Sequence, residues 1–214
     1  MSGYAIKTIY HTIQGEGAQQ GRAAVFCRFS GCNLWTGREA DRTKAICKFC
    51  DTDITGIDGP RGGHYKTAAE LAEVIRAAWP ADITGTAQPF VVCTGGEPLL
   101  QLDDELVEEL HEIGFEVAVE TNGTRRAPAG IDWVCVSPKA GADLVIDTGD
   151  ELKLVFPQVG AEPEKYVELD FDHFFLQPMD GPDQQRNTAM VLDYCLRHPQ
   201  WRVGLQLHKL LGVA

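Results

Sequence analysis

Residues 90–120 read FVVCTGGEPLLQLDDELVEELHEIGFEVAVE, and this stretch decides the fold. Phe90–Cys93 is a short run of β-branched and aromatic residues, the composition of a buried parallel strand. Turn chemistry follows in Thr94-Gly95-Gly96-Glu97-Pro98. Asp104 to Ile113 then places Leu106, Val107, Leu110 and Ile113 on one helical stripe, with Gly114 positioned to terminate it. A second apolar run, Phe115–Glu120, comes next. Strand, turn, helix and strand in that order form one β-α-β unit, the signature of an α/β architecture with a parallel sheet.

The same pattern extends in both directions. Further runs of this kind are Ala23–Phe29, Trp133–Val136, Leu152–Phe156, Phe174–Gln177 and Val203–Leu207. Thr67 to Ala78 opens with a capping box, Thr67-x-x-Glu70, and repeats Leu71, Val74, Ile75 and Ala78 before Pro80. Gln184 to Arg197 carries Ala189, Leu192 and Leu196 at helical spacing before Pro199. A complete eight-fold barrel typically needs ~250 residues. The pattern therefore predicts a shortened, open, partial TIM-like parallel β/α barrel of about six strands with few helices. No repeat, low-complexity segment or linker divides the chain, so residues 1–214 are expected to form a single domain. In such sheets ligands bind at the carboxyl ends of the strands, where most of the motifs below are found.

Composition narrows the chemistry. With 31 acidic and 19 basic residues the formal charge is −12, and Arg125-Arg126 is too short a basic run to offset it. Phosphate backbones and anionic lipid would be repelled. Residues 1–10 lack the apolar core of a secretory signal, and no stretch approaches the roughly 18 uninterrupted apolar residues of a membrane span. A cytoplasmic protein is expected. The odd count of seven cysteines then reads as buried thiols and metal ligands, not as a disulfide framework.

Cys32 is followed by fourteen residues, 33–46, and then by Cys47-Lys48-Phe49-Cys50-Asp51-Thr52. Two cysteines separated by two residues can ligate one metal or two irons of one cluster, and Cys32 can close the site through a loop. With Cys27 as a fourth ligand the same residues would make a structural zinc site. Alternation along Ala23–Phe29 sets Val25, Cys27 and Phe29 on one face and Arg28 on the other. If Arg28 looks inward, Cys27 packs outward and three ligands remain, which leaves one iron of a four-iron cluster open. Cys93, Cys135 and Cys195 lie in apolar patterns and read as core.

Cys32, Cys47 and Cys50 with Asp51-Thr52 resemble the cluster motif of the radical S-adenosylmethionine superfamily, with 33–46 as an insertion between the first two cysteines. The expanded loop is similar to that of a subgroup of the 7-carboxy-7-deazaguanine synthase (QueE) family, and the resemblance runs from Thr12-Ile13-Gln14-Gly15-Glu16-Gly17 to the C-terminus. It implies a [4Fe-4S] cluster on Cys32, Cys47 and Cys50. Contacts to S-adenosylmethionine are implied for Phe49, Asp51, Gly96, Glu97, Ser137-Pro138-Lys139 and Gln177-Pro178-Met179-Asp180. Mg2+ is implied at Thr52. Substrate contacts are implied for Ile13, Gln14, Gly15, Glu16, Arg28, Thr94, Glu120, His208 at the end of the last strand, and Ala214. The remaining histidines, His11, His64, His111, His173 and His198, are expected to be surface or structural.

An inward arginine is costly unless paired with an anion, so Arg28 suits a substrate carboxylate, with an internal ion pair to Glu16 or Glu120 as the alternative. The reaction the resemblance implies is radical ring contraction of 6-carboxy-5,6,7,8-tetrahydropterin to 7-carboxy-7-deazaguanine with loss of ammonia, on the route to queuosine-type bases. A flavodoxin-like electron donor and a homodimer are implied with it. The rivals are another radical enzyme on this scaffold, such as a glycyl-radical activase, and a zinc-stabilised interaction module.

Overall fold

The computed structural model describes residues 3–82 and 87–213. One sheet of nine strands runs through them: β1 (Tyr4–Ile13), β2 (Ala23–Phe29), β3 (Gly63–Tyr65), β4 (Phe90–Gly95), β5 (Glu116–Thr121), β6 (Trp133–Val136), β7 (Thr148–Phe156), β8 (Asp170–Pro178) and β9 (Trp201–Val203). The spatial order is β3-β1-β2-β4-β5-β6-β7-β8-β9. From β2 through β9 every neighbouring pair is parallel, whereas β1 pairs antiparallel with β2 and β3. Because β3 and β9 stand at the two ends of the order and do not pair with each other, the barrel is open, in agreement with the α/β expectation.

Among the described residues four α-helices accompany the sheet: α1 (Ala68–Ala78), α2 (Asp104–Glu112), α3 (Gln184–Arg197) and α4 (Leu207–Leu211). The caps follow the sequence signals. Thr67 accepts from the Glu70 amide at the start of α1, Asp103 accepts from the Leu106 amide at the start of α2, and Gly114 takes φ +84° just past its end. Helices α1 and α2 cover one outer core built on Val25, Cys27, Phe29, Val91, Cys93 and Val117, and α3 covers a second on Leu152, Leu154 and Leu176. On the concave side Ala24, Phe26, Phe90, Val92 and Ala118 form an apolar floor. The strands β2, β4 and β5 thus bury apolar side chains on both faces.

Several expectations shift. β1 was not foreseen, because a register shift between Ile6 and Thr8 breaks its period-two pattern. β7 and β8 begin four residues before Leu152 and Phe174, since Glu151 and His173 point polar side chains into the concave face and interrupt the apolar run. The last strand is Trp201–Val203, not Val203–Leu207: the Gly204 amide donates to Leu176 O (2.7 Å) at the strand's end, and Leu207 opens α4. His208 therefore stands on a helix. On α3 the buried stripe is Asn187, Val191 and Cys195, four residues apart, while Leu192 and Leu196 are exposed.

Candidate active site

The carboxyl ends of the parallel strands surround a cleft of ≈ 350 Å³. Its mouth carries Cys32, Cys47 and Cys50, and its depth carries Gln14, Glu16, Arg28, Thr94, Glu120 and Gln177. Ile13, Gly15, Phe49, Asp51, Thr52, Gly96, Ser137, Lys139, Pro178, Met179, Asp180 and His208 also line it. Two expected residues do not. Glu97 is fully buried behind the wall, and Pro138 is buried beside Gln158. Ala214 lies outside the described residues.

The cysteine loop is built from both sides. Arg42, in the 3₁₀ turn Glu39–Lys44 of the insertion, donates to Lys48 O (3.0 Å) and Cys50 O (3.1 Å), with its guanidinium 4.1 Å from the Trp35 ring centroid. The insertion thereby clasps the Cys47–Cys50 turn. The contact with Cys47 draws the Cys50 thiol down to about 6, and the same contact with burial pushes Cys47 up. Lys139 nearby also favours the thiolate form of both. Cys27 is fully buried in the outer core with Leu71 and Ile75 of α1, on the face opposite Arg28. It cannot join a four-cysteine zinc site. Three convergent thiols with one low-lying thiolate suit a cluster that keeps one iron open.

The Gly95-Gly96 turn, which lines the cleft, also makes a close backbone contact that spacing did not predict. A Cβ on Gly96 would stand 1.7 Å from Gly31 O, and Gly95, at φ +113°, would meet Phe29 O at 2.5 Å. The missing side chains admit the backbone leading into Cys32. The amides of Gly96 and Glu97 donate to Phe29 O (3.0 Å) and Gly31 O (2.9 Å), locking the two loops. Glu97 then holds the strand ends from behind. Its carboxylate accepts from Leu99 N (3.0 Å), Thr121 Oγ1 (2.7 Å) and Asn122 N (2.8 Å), while burial raises its pKa. Glu97→Ala strands three buried donors, and we expect a loss of about 3 kcal/mol, near 10 °C in Tm, in a thermal melt. An unchanged Tm would contradict that role.

At the base of the cleft Lys153, unforeseen from sequence, pairs with both acidic residues. Its ammonium is 2.5 Å from Glu16 Oε2 and 3.2 Å from Glu120 Oε1. Burial works to raise the Glu16 carboxyl, but Lys153 and amide donors from Gln206 and Gln177 bring it down to about 2. Neither carboxylate is thus Arg28's partner. Arg28 Nε is buried with no hydrogen-bond partner among the described residues, and its guanidinium lies 5.4 Å from the Tyr10 ring centroid. Gln177 Oε1 is likewise buried and unpartnered there. An orphaned cationic donor and an orphaned acceptor in one cleft call for a polar, anionic ligand.

Helix α4 closes one side. Gly15 packs so tightly on it that a Cβ would stand 2.2 Å from His208 Nδ1, and Leu207 N donates to Gly15 O (2.8 Å). Lys209 donates to Asp51 Oδ2 (2.9 Å) and Asp180 Oδ2 (2.5 Å), tying α4 to the cysteine loop and to the end of β8. Lys153 was legible in principle, since a cation between Leu152 and Leu154 in a buried strand invites the argument made for Arg28. For Gln206 and Lys209 no sequence signal existed.

The Radical SAM superfamily matches residues 42–154. The 7-carboxy-7-deazaguanine synthase of Caulobacter vibrioides is 60% identical over 210 residues, covering 98% of this chain and 99% of that protein. The enzyme of the same name from Bordetella pertussis is 58% identical over 213 residues, covering 98% and 99%. Among solved structures, the crystal structure of QueE from Escherichia coli is similar with a TM-score of 0.72 and 25% identity, covering 97% of this chain and 96% of that one.

Proposed function

Because this chain belongs to the 7-carboxy-7-deazaguanine synthase family of the radical S-adenosylmethionine superfamily, we propose that its cleft converts 6-carboxy-5,6,7,8-tetrahydropterin to 7-carboxy-7-deazaguanine with release of ammonia. The observation that carries the reading is the meeting of three cysteines, an inward arginine whose Nε has no partner among the described residues, and a clamped pair of carboxylates in one cleft. When bound on Cys32, Cys47 and Cys50, a [4Fe-4S] cluster supplies the electron that splits S-adenosylmethionine and so starts the radical ring contraction.

The chain's own residues bind, orient and enclose. Arg28 offers its free Nε–H to the substrate carboxylate, a charge-assisted bond that repays its burial. Glu16 and Glu120 accept hydrogen bonds from the amide and amino edge of the pterin, with Gln14, Gly15, Ile13, Thr94 and His208 around it. Ser137, Lys139, Phe49, Asp51, Gly96 and the segment 178–180 line the same cleft as the cysteines, with Gln177 deeper beside Glu16, and together they offer the place for S-adenosylmethionine. Glu97 and Pro138 serve that site from behind its wall. Leu34 and Trp35, buried in the insertion at 33–46, help to exclude water from a radical that would otherwise attack it.

The reading includes Mg2+ at Thr52, whose side chain lines the cleft next to Cys50; magnesium keeps several waters and needs few protein groups. It also includes a flavodoxin-like reductant, a homodimer, a cytoplasmic location and one domain over residues 1–214. The single continuous sheet supports the last of these, and no helix among the described residues is long and apolar enough to cross a membrane.

Anaerobic turnover of the carboxytetrahydropterin tests the proposal. We expect 7-carboxy-7-deazaguanine and ammonia, with the rate falling about tenfold or more when magnesium is withheld, and with Thr52→Ala insensitive to the ion. Absence of product from protein loaded with about four irons per chain would refute the function. A rate indifferent to magnesium would remove the ion alone.

A further inference from the structure

The buried cation that clamps the two carboxylates, Lys153, has been given no part in choosing the substrate. Lys153 projects from the middle of β7, where alternation sends Leu152 and Leu154 into the outer core and Lys153 to the concave face. Its side chain is 7% exposed, against 14% for Glu16 and 21% for Glu120. Two carboxylates over an apolar floor of Phe26 and Ala118 repel each other unless a cation stands between them. The other contacts to them are uncharged. Gln177 and Gln206 donate to Glu16 at 3.1 and 2.9 Å, and Gln14 and Thr94 each donate to Glu120 at 3.1 Å. Among the described residues Lys153 is the cation that bridges both.

We infer that Lys153 is a positioning residue that sets substrate specificity: it clamps Glu16 and Glu120 as paired acceptors at a fixed separation, facing the adjacent N–H donors of a 2-amino-4-oxopyrimidine edge. The inference rests on the pterin reading above and deepens it. A clamped carboxylate accepts and cannot donate, so a ligand that presents a carbonyl oxygen where the pterin has its 2-amino group sets lone pair against lone pair. Without the ammonium one of the two acids takes up a proton and becomes a donor as well, and the distinction fades.

The test is equilibrium binding of two stable probes, 6-carboxypterin and 6-carboxylumazine, which differs in carrying an oxygen at the 2-position. Both are titrated by calorimetry into the wild type, Lys153→Met and Lys153→Arg, beside KM and kcat for the carboxytetrahydropterin. We expect the wild type to prefer 6-carboxypterin by about 10²-fold or more, and Lys153→Met to bind it about 10²-fold more weakly with the preference reduced to within about threefold. Its KM should rise far more than its kcat falls, which a general loss of structure would not produce.

Should Lys153→Met not fold, Lys153→Arg decides. It keeps the charge but moves the clamp, so KM is expected to rise about tenfold with kcat within about threefold of wild type. A folded Lys153→Met that keeps both affinity and preference overturns the inference, as does an unchanged KM in Lys153→Arg. Failure of the parent reading looks different, because the wild type itself would then neither bind 6-carboxypterin nor turn over the reduced substrate, and the inference would fall with it.

Discussion

Serine at Cys32, Cys47 or Cys50 is expected to reduce turnover to background and to strip the protein of iron, whereas Cys27→Ser keeps both. A serine hydroxyl stays protonated near neutral pH and replaces a thiolate poorly as a ligand to iron. The three cleft cysteines stand in one region, Cys50 already drawn toward the thiolate by its neighbour, so each substitution removes a corner of the same site. Cys27 differs only in where its side chain points. It packs at 0% exposure with Leu71, Ile75 and Cys93, and burial holds it firmly protonated. Serine there buries an uncompensated hydroxyl at a cost of about 1–3 kcal/mol, a lower Tm with active protein. Iron analysis, visible absorption and a thermal melt on the four variants separate the two classes. Loss of iron in Cys27→Ser at intact fold would restore the four-cysteine zinc site and sink the assignment.

Gly96→Ala is expected to cost about 10²-fold in turnover although it removes no functional group. The new methyl would stand 1.7 Å from Gly31 O and 3.3 Å from Cys32 N. Neither backbone can yield cheaply, because the Gly96 and Glu97 amides bond across that contact. The strain therefore passes to the loop carrying Cys32, displacing its sulfur from the other two. Gly114→Ala is the control. Gly114 also bears a positive φ, +84°, but a Cβ there meets nothing within 4 Å. Its cost is about 1 kcal/mol of conformational strain with iron content and rate retained. Normal iron loading and rate in Gly96→Ala would show that the loop tolerates the shift.

Much of this protein is legible in its sequence. The parallel runs and the caps at Thr67 and Gly114 depend on neighbours a few residues away, so local spacing was enough to find them. The opposition of Cys27 and Arg28 follows from strand alternation alone, and the clustering of motifs after strand ends follows from the geometry of parallel sheets. The cysteine spacing, Asp51-Thr52 and the expanded loop at 33–46 carried the family resemblance.

Tertiary structure decided what depends on residues far apart in the chain. The pairing of Lys153 with Glu16, 137 positions away in the chain, leaves no trace in local pattern. Nor could spacing tell that the glycines at 95–96 yield to the Cys32 loop, or that Glu97 works from behind the wall, since both contacts join elements more than twenty residues apart. The end of the chain was misread for the same reason. Val203–Leu207 has the composition of a strand, but pairing stops at Gly204, and α4 is held by Gly15, Asp51 and Asp180. Short-range chemistry chose the elements, and long-range charge and close packing chose which of their side chains share the cleft.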